Sequence, residues 1–215
     1  LYLVSIEVVV MIIGGYLLGA IPFGLLLGLA KGIDVRNEGS GNIGATNTGR
    51  ALGKNWGYLC LVLDVFKGFI PVIVMCLFVK QQKDFSVFNQ QIAMLAMAGA
   101  AILGHVFSVF IKFKGGKGVA TSLGVLLGIW PYMTITSALA FGVWGIVKFR
   151  SKLVSLASII AAISFPIIFL AFVVAVDSWH MAQLWPSFTF SCFVSFMIVF
   201  RHRSNIVRLL NGTED

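Results

Sequence analysis

Six long apolar stretches, at roughly 3–30, 56–79, 91–111, 118–147, 153–176 and 185–200, dominate this chain. A helix needs about 20 residues to cross the hydrocarbon of a bilayer, and most of these runs reach that length. Charged residues make up 11% of the chain and hydrophobic ones 59%, whereas soluble domains sit near a quarter and a half. The expected fold class is an all-α integral membrane protein, and 215 residues suit one helical bundle with little left for a soluble domain. The first stretch has no basic n-region and no clear cleavage site, so it reads as a retained span.

Charge placement sets the expected topology. Thirteen of the sixteen basic residues fall in four clusters: Lys31, Arg36, Arg50 and Lys54; Lys112, Lys114 and Lys117; Lys148, Arg150 and Lys152; and Arg201, Arg203 and Arg208. Basic loops face the cytoplasm. The second and third clusters share a side only if 118–147 crosses twice, turning at Trp130-Pro131. The expectation is then seven spans, with the N-terminus outside, the C-terminus cytoplasmic and two short helices of about 13 and 16 residues near the polar loops. The outer connections carry only Lys80 and Lys83 as cations. Gly15 with Gly19, and Gly24 with Gly28, have the spacing that lets helices approach closely.

All the unusual polar segments fall on the cytoplasmic side. In "GSGNIGATNTGR", glycines free the backbone to aim N–H groups at an anion, Ser40, Asn42, Thr46 and Asn47 add side-chain donors, and Arg50 offers a planar fork. An ordinary flexible loop is the competing reading. "KFKGGKGVATS" resembles a phosphate loop but fails the nucleotide pattern, with Ile111 in place of the leading glycine and Gly118 in place of Ser or Thr. A glycine turn opening a helix still favours an anion, and Lys117 adds a point charge. In "RHRSNIVRLLNGTE" the arginines read first as a cytoplasmic anchor, while His202 and Asn205 fall on one helical face.

Other polar residues carry less. Asp64 and Lys67 sit i, i+3 inside the second stretch, as a structural ion pair or part of a substrate site. His105 reads as a hydrogen-bonded helix residue, His180 has no role, and Ser155 and Ser158 are helix-start residues. Cys60, Cys76 and Cys192 stand alone in apolar runs and imply neither disulfide nor metal. No histidine is followed four or five residues later by Asp, and there is no G-x-S-x-G elbow. An enzyme of this composition would work by binding and orienting anions. A net charge of +8 calls for lipid headgroups or phosphorylated substrates before nucleic acid.

Three segments together, "DVRNEGSGNIGATNTGRALGKNWG", "GHVFSVFIKFKGGKGVATSLG" and "FRHRSNIVRLLNGTE", resemble the three cytoplasmic motifs of the bacterial acyl-phosphate glycerol-3-phosphate acyltransferases, the PlsY family. "LLGAIPFG" and "LDVFKG" fit the same pattern. The resemblance implies one transmembrane acyltransferase domain over 1–215, multi-pass in the inner membrane with its active site facing the cytoplasm. It implies acyl transfer from acyl phosphate to the 1-hydroxyl of glycerol 3-phosphate, giving lysophosphatidate and inorganic phosphate at the opening of phospholipid synthesis. No cofactor, metal, nucleic acid or obligate protein partner is expected; the partners are the two substrates and membrane lipid. By position, the resemblance assigns Lys117, His202 and Asn205 to catalysis. It assigns Ser40, Thr46, Arg50, Gly115, Gly116, Gly118 and, less directly, Ser155 to substrate binding, and Asn42 joins them as a side-chain donor of the first loop. Either the departing phosphate or His202 takes the hydroxyl proton. Two positions depart from the family pattern: Ala20, where serine is usual, and Ser108, where proline is common. A transporter is the rival class, but transporters place their site near the midplane between repeats, and this chain shows neither feature.

Overall fold

The computed structural model describes residues 5–214, so residues 3 and 4 of the first apolar stretch lie outside them. Among the described residues every regular element is helical. Ten α-helices follow one another: α1 (Ile6–Ala20), α2 (Phe23–Leu29), α3 (Ala45–Leu52), α4 (Lys54–Gln81), α5 (Val87–Val106), α6 (Val119–Leu127), α7 (Tyr132–Ser151), α8 (Val154–Ala175), α9 (Met181–Arg201) and α10 (Arg203–Leu210). Helices α4, α5, α7, α8 and α9 are long and apolar enough to cross a bilayer, and α1 with α2 makes a sixth candidate bent by 43°. Pro22 causes that bend, since it has no N–H to continue the helix. Many large apolar side chains on the long helices are exposed, among them Ile6, Val62, Val74, Ile167 and Val174. Such a surface is stable only against lipid.

The stretch 118–147 breaks before Tyr132, as its Trp130-Pro131 pair suggests, but the pieces are unequal: α6 has nine residues and α7 has twenty. Helix α7 continues through Lys148 and Arg150, because charged side chains at a C-terminal turn suit the helix dipole and leave the backbone ladder intact. Lys152, in the left-handed region, ends it. At 1.5 Å per residue α6 is only about 14 Å long, so it needs protein around its ends. It finds this against α4 and α5.

The chain forms two compact units, divided between Gly128 and Ile129. In the first, α4 is central and packs against α1, α2, α3, α5 and α6. Close approach depends on glycine. A Cβ on Gly19 would lie 2.2 Å from the Ala101 carbonyl oxygen, and one on Gly104 2.2 Å from that of Tyr16, so α1 and α5 meet backbone to backbone. Gly24 and Gly28 serve differently: they admit the loop backbone at Ile43 and Ile33. Loop residues Val35 and Ile43 pack with Leu25 in a small core, with Ile111 beside it. In the second unit α8 packs against α7, α9 and α10, and Phe169, Phe172, Tyr132 and Phe188 form an aromatic cluster with Trp179.

Candidate active site

The first polar loop joins α2 to α3 and is held by one buried amide. Asn47 Nδ2 donates to the carbonyls of Val35 (2.8 Å) and Glu38 (3.0 Å), and its Oδ1 accepts from the Ser40 N–H (2.8 Å). Asn47 therefore organises the loop and is not a ligand donor. Gly39 sits at φ +52, with Asn47 Oδ1 only 2.6 Å from where a Cβ would be, so both conformation and space require glycine. Asn42 Oδ1 accepts the Gly44 N–H at 2.9 Å and stiffens the approach to α3. Ser40, Thr46 and Arg50 are exposed. The other arginine of the loop, Arg36, grips Asp34 at 2.6 Å. Hydrogen bonds from Arg36 hold Asp34 well below the usual carboxylate range, at about 2. Lys31 lies over the Trp56 ring at 4.7 Å.

The second loop joins α5 to α6. The Gly115 and Gly116 N–H groups donate to the carbonyls of Val106 and His105, both at 3.1 Å, so these amides pin the turn to the end of α5. The Gly116 backbone lies against the His105 imidazole, where a Cβ would come 2.2 Å from Nε2. Gly118 has φ +86 and precedes α6, whose first N–H groups have no partner one turn earlier in the helix. Lys117, half-buried, stands at that opening.

Between these loops runs a buried polar line along α4. Lys67 Nζ lies 2.8 Å from Asp64 Oδ1 and donates to the Ile21 carbonyl at 2.7 Å. The Cys60 thiol donates to Asp64 Oδ2 (3.7 Å), and the Thr48 hydroxyl of α3 lies 3.8 Å from Cys60 Sγ. His105 Nδ1 is 3.7 Å from Asp64 Oδ1. Thus α4 and α5 meet at one carboxylate, with Thr48 of α3 linked to it through Cys60 and the second loop packed against its neighbour His105, an arrangement that the i, i+3 spacing alone does not reveal.

In the second unit, His202 Nδ1 lies 2.7 Å from the Ile198 carbonyl oxygen. A carbonyl only accepts, so Nδ1 carries a proton and donates it there, which turns Nε2 away from α9. Asn205 Nδ2 donates to Glu214 Oε1 (2.6 Å) and Arg208 Nε to Glu214 Oε2 (2.7 Å). Burial would raise the Glu214 pKa, but the polar contact with Ser155 and the hydrogen bonds from Asn205 and Arg208 outweigh it and hold the carboxyl below its ordinary value. Glu214 thereby ties Asn205 and Arg208 of α10 to the segment that follows that helix. Sequence reasoning assigned it nothing, although it closes the third motif.

The family model for glycerol-3-phosphate acyltransferase matches residues 9–212. The chain belongs to the glycerol-3-phosphate acyltransferase family. The family member from Geotalea daltonii is 45% identical over 207 residues, covering 96% of each chain. That from Aquifex aeolicus is 41% identical over 204 residues, covering 95% of this chain and 96% of its own. A crystal structure of PlsY (YgiH), an integral membrane glycerol 3-phosphate acyltransferase, in its glycerol 3-phosphate form, superposes with a TM-score of 0.80 at 38% identity. It covers 97% of this chain and 94% of that one. The lysophosphatidic acid form gives 0.78 at 37% identity over the same shares. The chain is accordingly an integral membrane acyltransferase of phospholipid biosynthesis. Its two departures from the family pattern meet: Ser108 Oγ donates to the Ala20 carbonyl at 2.5 Å.

Proposed function

We propose that this acyltransferase takes its acyl group from acyl phosphate and places it on the 1-hydroxyl of sn-glycerol 3-phosphate. The hydroxyl oxygen attacks the acyl carbon, the bond from that carbon to the phosphate oxygen breaks, and inorganic phosphate leaves with 1-acylglycerol 3-phosphate (lysophosphatidate) as product. The departing phosphate takes the hydroxyl proton, so no protein base is required. The observation that carries the reading is that each of two glycine loops supplies a cation, Arg50 on α3 and Lys117 at the opening of α6. Two substrates, each bearing one phosphate, fit two such loops.

In this reading Arg50, with Ser40 and Thr46, binds glycerol 3-phosphate, while Lys117 and the start of α6 stabilise the acyl phosphate as charge moves onto its leaving oxygens. Asn42, Gly115, Gly116 and Gly118 fix the paths of the two loops. His202, set by the Ile198 carbonyl, presents its Nε2, and Asn205, held by Glu214, its amide, with Ser155 on α8 as a further binding group. The chain acts as a single domain over 1–215, seven-spanning in the bacterial inner membrane, N-terminus outside and site facing the cytoplasm, with no cofactor. The test supplies detergent-purified protein with palmitoyl phosphate and glycerol 3-phosphate and measures phosphate release and lysophosphatidate. Release that depends on glycerol 3-phosphate, persists in chelator and does not occur with palmitoyl-CoA as donor is expected. Robust turnover with palmitoyl-CoA overturns the donor assignment.

A further inference from the structure

Cys60, Asp64 and Lys67 lie at i, i+4 and i+7 on one face of α4, each at most 2% exposed. A buried ion pair in a membrane helix gives weak net stability, because losing water costs the two charges about what their attraction returns. An apolar face would pack α4 as well, so the pair calls for another reason. Its contacts supply one. Lys67 holds the Ile21 carbonyl, where α1 gives way to α2. Cys60 meets Thr48 of α3, the helix that carries Arg50. His105 fills the space against Gly116, and its own carbonyl takes the Gly116 N–H one residue before Lys117.

Taking the assignment of Arg50 and Lys117 to the two phosphates as given, we infer that Asp64 is a positioning residue. It fixes the first loop's helix and the second loop in one register, so that the bound phosphates present hydroxyl and acyl carbon at reacting distance. Asp64 touches neither substrate and acts through Cys60, His105 and Lys67. Each loop can still bind its own substrate when the register slackens; what is lost is alignment of the reacting atoms, and about 1 Å of misplacement costs on the order of a hundredfold in rate.

The test uses full-length protein in detergent with both substrates. Asp64→Asn keeps size and should leave both KM values within about threefold while kcat falls about thirtyfold or more. The double variant Asp64→Leu/Lys67→Met removes the charges together and leaves no unpaired ion, so it should fold as well as the wild type. It should nevertheless show the same loss of kcat. A purely structural pair predicts the reverse: the folded double variant turns over at the wild-type rate, and that result overturns the inference, as does a rise in either KM at unchanged kcat. If Asp64→Asn fails to fold, the double variant decides, with His105→Gln as a second probe expected to lower kcat at unchanged KM. Failure of the underlying reading is a separate result: Arg50→Lys and Lys117→Met with unchanged KM values remove the loop assignment, whatever Asp64→Asn does.

Discussion

Arg36 lies in the first polar loop and Arg50 on α3, the helix that follows it. Asp34 neutralises Arg36, whereas Arg50 projects from the exposed side of α3. A guanidinium grips a phosphate through two parallel hydrogen bonds, and an ammonium offers one hydrated point charge. Arg50→Lys should therefore lower kcat/KM about ten- to a hundredfold, the cost of roughly 1.5–3 kcal/mol for a lost charge-assisted bond. The change should appear in KM for glycerol 3-phosphate, with the melting temperature preserved; a rise confined to the acyl phosphate KM would place the wrong substrate on this loop. Glu214 gives a pH prediction. Its folded pKa lies below the ordinary 4.5, so its docking of Asn205 and Arg208 contributes stability in full above about pH 4.5. That contribution is lost as pH falls through the lowered folded value. Thermal unfolding followed from about pH 6 to 3 should show the loss in the wild type and a flatter profile in Glu214→Gln. Equal slopes would detach Glu214 from the third motif.

At the scale of elements, the helices of the first unit are set by which glycines face a neighbour's backbone. Gly104 on α5 meets Tyr16 and Ala20 on α1, and Gly124 on α6 would put a Cβ 2.0 Å from the Val65 carbonyl oxygen on α4. Backbone cannot step aside as a flexible side chain can. Gly104→Ala should cost about 1–3 kcal/mol, read as a lowered melting temperature in detergent. Gly142 and Gly145 of α7 have nothing within 4 Å, so alanine at either should be neutral or stabilise by a few tenths of a kcal/mol. Equal effects at Gly104 and Gly142 would contradict backbone contact as the cause. Small-residue spacing in the sequence marked Gly15 and Gly19 correctly as packing positions. It could not distinguish them from Gly24 and Gly28, which make room for a loop, because spacing does not say what approaches.

For the whole molecule, the proposed orientation rests on charge asymmetry, and it has a direct test. Lys152 ends α7 and Ser178 follows α8, and both are exposed. With Cys60, Cys76 and Cys192 replaced by alanine, Lys152→Cys should resist an impermeant thiol reagent in intact cells, while Ser178→Cys should react. Labelling at 152 would overturn the cytoplasmic placement of the third basic cluster and the seven-span reading with it. The break at Pro131 does not depend on that outcome, since α6 and α7 are separate helices in any orientation.

Hydropathy by itself determined that the chain is helical and belongs in a bilayer, because only helices or closed barrels satisfy backbone hydrogen bonds there. The order of polar residues in three motifs carried the family, since those residues are adjacent in sequence. The tertiary structure alone decided which of them are available. Asn47 turns inward to hold its loop, the Gly115 and Gly116 amides are engaged with α5, and Arg36 is bound to Asp34. It also joined Thr48, Cys60, Asp64, Lys67 and His105, three from α4 and one each from α3 and α5, into one buried polar chain that runs through the Asp64 carboxylate. Nothing in a linear sequence records such a convergence, because distances between side chains on different helices are set by packing, and packing is fixed only when the helices meet.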